Sequence, residues 1–437
     1  MLRCMYSGVS GLRIHQTRMD VIGNNIANVN TTGFKSGRVT FNEIFSQTLQ
    51  GASGANGTVG GRNPMQVGLG ANISSIDTLM TEGAAQRTDN PLDMKIEGDG
   101  FFIVNGGGGY RFTRAGAFRI DNAGNLVNPE GLNVMGWQSD DHGNIIKEKV
   151  SKLQILKPEN KYSQPTQTSA ATFSGNINKN DANLGTGKEG IVVNFNIYDS
   201  QGYRYTVEAK IKSTGTKGEY SINIDGTHGI KDEKGNSVAC TFPTTSNTIQ
   251  FTPEGKLDTS SGATTMLSIT GIDTGHTVTN ADFGDVKIDF TGLTQFDGKT
   301  TAKGEAGNIY GLDAGNPPGT LSGFDIGSDG KILGKYTSGP SKILGQIAVA
   351  RFQNPAGLQK AGNNLFEVTT NSGEFDGIGV DPTANGGRLN GGVLEMSNVD
   401  LSREFTDMIT TQRGFQANSR IVTVADELLQ ELVNLKR

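Results

Sequence analysis

Two cysteines, Cys4 and Cys240, stand in 437 residues. That is too few for a disulfide framework, and no CxxC pair suggests zinc or thioredoxin-like chemistry. Long apolar runs are also missing. No 18-residue stretch could cross a membrane, so no membrane insertion is expected. The first 30 residues are broken by Arg13, His15, Arg18 and Asp20, which predicts no cleaved secretory signal. Positive charge is in deficit: 39 basic residues face 44 acidic ones, a net charge of −5. Without a cationic surplus to neutralise phosphates, nucleic acid is not an expected partner. Proline numbers only 12, and glycine shows no strict three-residue period, which excludes a collagen-like helix. His15, His142, His228 and His276 lie far apart and form no ligand set, so no metal or cofactor is expected.

What the chain has in excess is glycine, 62 residues, about twice the usual share of roughly 7%. Glycine supplies tight turns and close backbone approaches. At roughly 150 residues per domain the length predicts about three domains.

Periodicity divides the sequence, with helix at both ends and short strands between. Met5, Leu12, Met19 and Ile26 repeat every seven residues, and Leu2, Val9 and Ile22 widen the stripe. At the other end Leu401, Phe405, Met408 and Phe415 form one stripe. Ile421, Val424, Leu428, Leu432 and Leu435 form another, offset near Gly414 as a coiled-coil stutter would be. Ser397 or Asn398 is the expected N-cap, with Asp400 and Glu404 near the positive helix end. The helices would measure about 40 and 55 Å. The ends should pair as a coiled coil within one molecule, or, because a lone two-helix hairpin buries too little to be stable, pair and also pack against copies of themselves.

GNNIANVNTTGFKS (23–36) should end the first helix in a turn, and the Gly-rich run 50–72 reads as a linker. From about residue 93 hairpin-like segments take over, with Trp137 expected in their core. Around Pro158 the composition becomes Ser-, Thr-, Asn- and Lys-rich, and 192–211 reads as a hairpin turning at 199–202. From about 318 short strands like those near 100–120 return. The nested organisation is 1–30 with 396–437 as a helical domain, 31–75 as a linker or wedge, 76–158 with 318–395 as a β-rich middle domain, and 159–317 as an inserted β-rich domain. The fold class is therefore mainly β with long terminal helices forming a coiled coil.

No enzyme constellation is nominated. Gly185, Gly187 and Gly190 match GxGxxG but precede a strand, the reverse of a dinucleotide site. Gly292 and Gly298-Lys-Thr300 have five residues between the glycines where a phosphate loop needs four. Asp121, Asp199 and Asp329 adjoin turns, where short carboxylates cap backbone amides.

SGVSGLRIHQTRMDVIGNNIANVNTTGFKS (7–36) and the segment from Gly391 to Arg437 closely resemble the flagellar rod and hook protein family. GDGFFIV (98–104), the run 110–137, YDSQGYRYTV (198–207) and the run 344–367 agree. The inserted 159–317 resembles the hook branch more than the rod branch. The resemblance implies a structural subunit exported through the flagellar type III apparatus. It would polymerise under a hook cap into a curved tube, a universal joint between rod and filament. The implied partners are copies of itself, the distal rod, the hook cap, the hook–filament junction protein, the hook-length ruler and the export apparatus, outside the cell. Helix packing would fall to the two apolar stripes, the turn leaving the inner tube to Asn24, Asn25, Asn28 and Gly33, and wedging between neighbours to 37–75. Spirochaete hooks are cross-linked between a Cys and a Lys of adjacent subunits, which makes Cys240 a possible cross-link, whereas Cys4 is expected to pack. A distal rod subunit is the alternative within the family, and a secreted β-rich binding protein the alternative outside it.

Overall fold

The computed structural model describes residues 2–54, 60–140, 143–184, 188–243, 247–260, 264–273 and 284–435. His142, His276, Gly185 and Gly187 lie outside the described residues. The chain is mainly β, with one α-helix at each end: α1, Leu2–Ala27, and α2, Leu401–Asn434. It divides into two compact units. The first comprises Met1–Lys157, Asp325–Leu333 and Ile343–Arg437. The second comprises Pro158–Phe324 and Gly334–Lys342.

In the first unit α1 lies against α2 and against the antiparallel pair β1, Gly37–Glu43, and β4, Ala71–Thr78. Between them in sequence β2, Ser46–Gln50, pairs with β3, Met65–Gly68, so part of the Gly-rich run is built into strands. The β-body centres on Phe101–Asn105 and Tyr110–Thr113, flanked by Asn133–Gln138 and Leu365–Glu367. Their inward faces bury Phe101, Ile103, Phe112, Trp137 and Phe366. Aromatic edges meet faces there: Phe112 and Phe352 stand 4.8 Å apart at 83°, an arrangement that the ring quadrupole favours. The buried Trp137 indole donates to the Glu148 carbonyl at 3.0 Å, which satisfies its one polar atom.

The second unit is a ten-stranded sheet, antiparallel except where Ala170–Asn176 runs parallel to Val286–Thr294. Alternation positions its core. In Ile191–Tyr198 the residues Val193, Phe195 and Ile197 are buried between solvent-facing neighbours. They face Tyr205, Val207, Ala209 and Ile211 of the paired strand. Asp199 closes that hairpin by accepting the N–H groups of Gln201 and Tyr203. Asp121 makes the same kind of turn around Gly124, whose φ of +80° a side chain would strain. Segments 318–324 and 334–342, whose composition suggests the middle domain, group with the second unit instead. The cause is pairing: Tyr162–Ser163 zips onto Gly319–Thr320, and the Tyr336 hydroxyl donates to the Asn160 carbonyl.

Candidate assembly site

The helices run antiparallel along a seam that is narrow because it is lined by small residues. Gly8 and Gly11 are buried on α1. A Cβ at Gly11 would fall 2.6 Å from Asn418 Nδ2, one at Gly8 3.2 Å from Val422 Cγ2, and one at Gly414 2.7 Å from the His15 ring. Polar pairs finish the seam. Arg18 bridges Asp407 at 3.1 Å, and Asn25 donates to Glu404 at 3.1 Å. His15 Nδ1 is buried without a partner, and burial followed by the nearby Arg18 charge holds its pKa below the usual value. Burial of Glu404 pushes that carboxyl upward.

The apolar positions singled out in the sequence are divided by this geometry. Leu2 opens α1. Ile22 is buried, while Met5, Leu12, Met19, Ile26, Met408 and Phe415 are half-buried. Val9, Leu401, Phe405, Ile421, Val424, Leu428, Leu432 and Leu435 are exposed. The better-covered row on α2 steps through 404, 408, 411, 415, 418, 422, 425 and 429 without the offset expected at Gly414. Cys4, expected to pack, is exposed beside an apolar groove formed with Ile421, Val424, Ala425 and Leu428. Apolar periodicity reveals the seam only in part, through Ile22, Met408 and Phe415, because glycine, amide and charged residues share it with them. The signal available was small residues at 8, 11 and 414.

The segments joining the helices to the β-body are tied by side chains. Asn24, exposed, accepts from Asn28 at the end of α1. Asn25, buried, brackets Gly37 by accepting its N–H and donating to its carbonyl, both at 2.9 Å. Gly33 has φ +70°, donates to the Glu395 carbonyl, and has the Ala115 nitrogen 2.6 Å from where a Cβ would stand. Asn398 accepts from Ser36 N and donates to the Leu79 carbonyl. It is therefore spent on tertiary bonds, and the cap of α2 is Asp400, which accepts from Ser402 N and Arg403 N, not Ser397 or Asn398.

At the centre of this junction lies an ionic node that no sequence motif announces. Glu395 is fully buried and receives Lys35 Nζ at 2.6 Å and Gly83 N at 3.0 Å. Arg114 Nη1 stands 3.5 Å from its other oxygen. Lys35 also donates to the Thr81 carbonyl, and Lys95 to that of Gly83. Burial pulls the Lys35 pKa down, opposed by Glu395.

Away from the node, the β2–β3 hairpin exposes Leu49, Met65 and Val67, and Ile44 and Phe45 are exposed just before it. In the second unit Cys240 is buried and its thiol donates to the Asp225 carbonyl. Burial, then the Asp225 charge, pushes its pKa up, which disfavours the reactive thiolate.

Apolar stripes left uncovered along a terminal helix and a projecting hairpin mark a surface made to be covered by other protein, which places the chain among assembly subunits. The comparisons with known proteins agree. Residues 5–35 match the "Flagella basal body rod protein" family, 95–192 the "Flagellar hook protein FlgE/F/G D1 domain", 165–306 the "Flagellar basal body protein FlaE D2 domain", and 390–435 the "Flagellar basal body rod FlgEFG protein C-terminal" family. Flagellar hook protein FlgE of Borreliella burgdorferi is 38% identical, and that of Treponema pallidum 37%, each over 100% of both chains. Flagellar basal-body rod protein FlgG of Bacillus subtilis is 31% identical, also over 100% of both chains. A crystal structure of Helicobacter pylori flagellar hook protein FlgE2 overlays 71% of this chain and 100% of its own with a TM-score of 0.44 and 14% identity. The chain belongs to the flagellar hook protein family.

Proposed function

We propose that this chain is the structural subunit of the flagellar hook, polymerising through its terminal helices into a curved tube that carries torque from rod to filament. The observation that carries this reading is the exposed apolar stripe of α2 in a chain that matches hook proteins over its full length. In the polymer, 1–30 and 396–437 form an antiparallel coiled coil lining the inner tube, and 31–75 wedges between neighbours. Residues 76–158 with 318–395 make the middle shell, and 159–317 the outer surface. The subunit leaves the cell through the type III apparatus. It assembles between distal rod and hook–filament junction under the hook cap, to a length set by the ruler. Cys240 packs rather than cross-links.

A universal joint must lengthen and shorten each row of subunits once per turn at nearly equal energy. Small, polar, exchangeable contacts in the outer shell suit that requirement, since large apolar patches lock one length. Removing 401–437 should abolish polymers while leaving β-sheet circular dichroism intact; fibres formed by the truncated chain would refute the reading. The full-length match to a basal-body rod protein supports a second reading, a distal rod subunit. Electron microscopy of the polymer separates the two, a straight and rigid tube favouring the rod.

A further inference from the structure

The second unit carries two unusual surface features at opposite ends of the strand Ala170–Asn176. At its first end the loop 307–314 is anchored, Gly307 N donating to the Ala170 carbonyl at 2.8 Å and Thr168 Oγ1 to that of Ala314 at 2.8 Å. The loop is also braced from within. Asn308 Oδ1 accepts from Tyr310 N and Leu312 N, and Asn308 N donates to the Leu312 carbonyl. On this rigid turn Ile309, Tyr310 and Leu312 are 60%, 80% and 63% exposed. It is a preformed apolar knob.

At the other end Asn176 holds the 295–301 loop, accepting from Phe296 N at 2.6 Å and donating to the Phe296 carbonyl at 3.0 Å. There the loops that follow several strands converge on a groove of about 790 Å³, lined in part by Lys179, Lys217, Tyr220, Gln250, Gln295 and Phe296. The Phe296 ring is 49% exposed and lies over Gly255, where a Cβ would come within 2.9 Å of it. Gln295 donates to the Tyr220 hydroxyl at 2.5 Å, fixing the groove wall. The lining is therefore an accessible aromatic face among amides, two lysines and Asp297, suited to an aromatic side chain with a polar tip.

We infer that the Ile309–Tyr310–Leu312 knob of one copy seats in the Phe296 groove of a second copy. The seven-residue strand between them spans roughly 20 Å, so a knob cannot reach the groove of its own molecule. A contact between opposite ends of one unit is heterologous and propagates instead of closing into a dimer. The rigid turn loses little freedom on docking, yet so small a contact is weak alone and can break and reform. The inference rests on the proposed polymer and names where its outer units touch.

The test uses full-length chains with Cys4→Ser to remove the exposed thiol. Thr216 also lines the groove, so polymers of the Tyr310→Cys/Thr216→Cys double variant, oxidised with copper phenanthroline, should give a ladder of covalent multimers that neither single variant gives. Tyr310→Ala should raise the protein concentration needed for assembly about tenfold. A polymer that forms without a ladder overturns this inference and leaves the hook reading standing, whereas a wild-type chain that forms no polymer undermines the hook reading itself. If the double variant does not assemble, amide exchange on wild-type polymer decides: protection at both 215–218 and 309–312 supports the contact, and its absence at either refutes it. Protection of 215–218 in the monomer by maltoheptaose, with none at 309–312 on assembly, assigns the groove to saccharide and also refutes it.

Discussion

Glu395 is a fully buried carboxylate facing Lys35 and Arg114. An ion pair out of water stabilises little net, but losing one member strands the other. Glu395→Gln should therefore lower stability by about 3–5 kcal/mol, read as a fall in the urea midpoint of the first unit. The Lys35→Met/Glu395→Met double variant should lose less than the sum of its single changes. His15 responds to pH in a defined direction. Its folded pKa lies below the unfolded value, so its contribution is present above that value and is lost as pH falls through it toward the folded pKa. Proteolysis of the helical ends should accelerate as pH drops below about 6.5, and His15→Gln should flatten that dependence; an unchanged profile in the variant would assign the acid sensitivity elsewhere. Neither residue is legible as important from sequence. Lys35 and His15 fall within the 7–36 segment that carries the resemblance, but only tertiary folding gives them their surroundings.

The two helices, by contrast, can be read from apolar spacing alone, and they lie within a few residues of the expected spans. The cap cannot, since Asn398 looks as able a cap as Asp400 until its side chain is seen bonded to Ser36 and Leu79. Nor can the seam, because glycine at 8, 11 and 414 scores as weak helix and not as contact. Gly414→Ala, which raises intrinsic helicity, should nevertheless loosen the pair by driving a methyl into His15; faster clipping of α1 and α2 is the expected readout. Beside the seam, in the groove next to Cys4, Leu428 is exposed. Leu428→Asp should change the subunit's own unfolding by less than about 0.5 kcal/mol and still abolish assembly by sedimentation, a separation of effects that a core leucine could not give.

The molecule as a whole contains two separately packed units, so calorimetry should resolve two transitions instead of one. The thiols report which is which. Cys4 is exposed in the first unit and Cys240 buried in the second, so one equivalent should react with a thiol reagent at once and the second only when the second unit unfolds. Rapid labelling of both would contradict the burial. Turn chemistry makes the strand-rich middle legible, since Asp199 and Asp121 announce hairpins with Gly202 and Gly124. The unit boundary is less so, because 318–324 and 334–342 share the composition of the first unit while pairing within the second.

The salt bridge between Lys35 and Glu395 joins positions 360 apart in the chain, and that distance imposes a schedule. Lys35 is made early and Glu395 almost last. Until residue 395 arrives, Lys35 and Arg114 lack the buried carboxylate that they share in the folded first unit. Contacts of such long range are slow to form, so closure of the first unit around Lys35 waits for residue 395 to reach it.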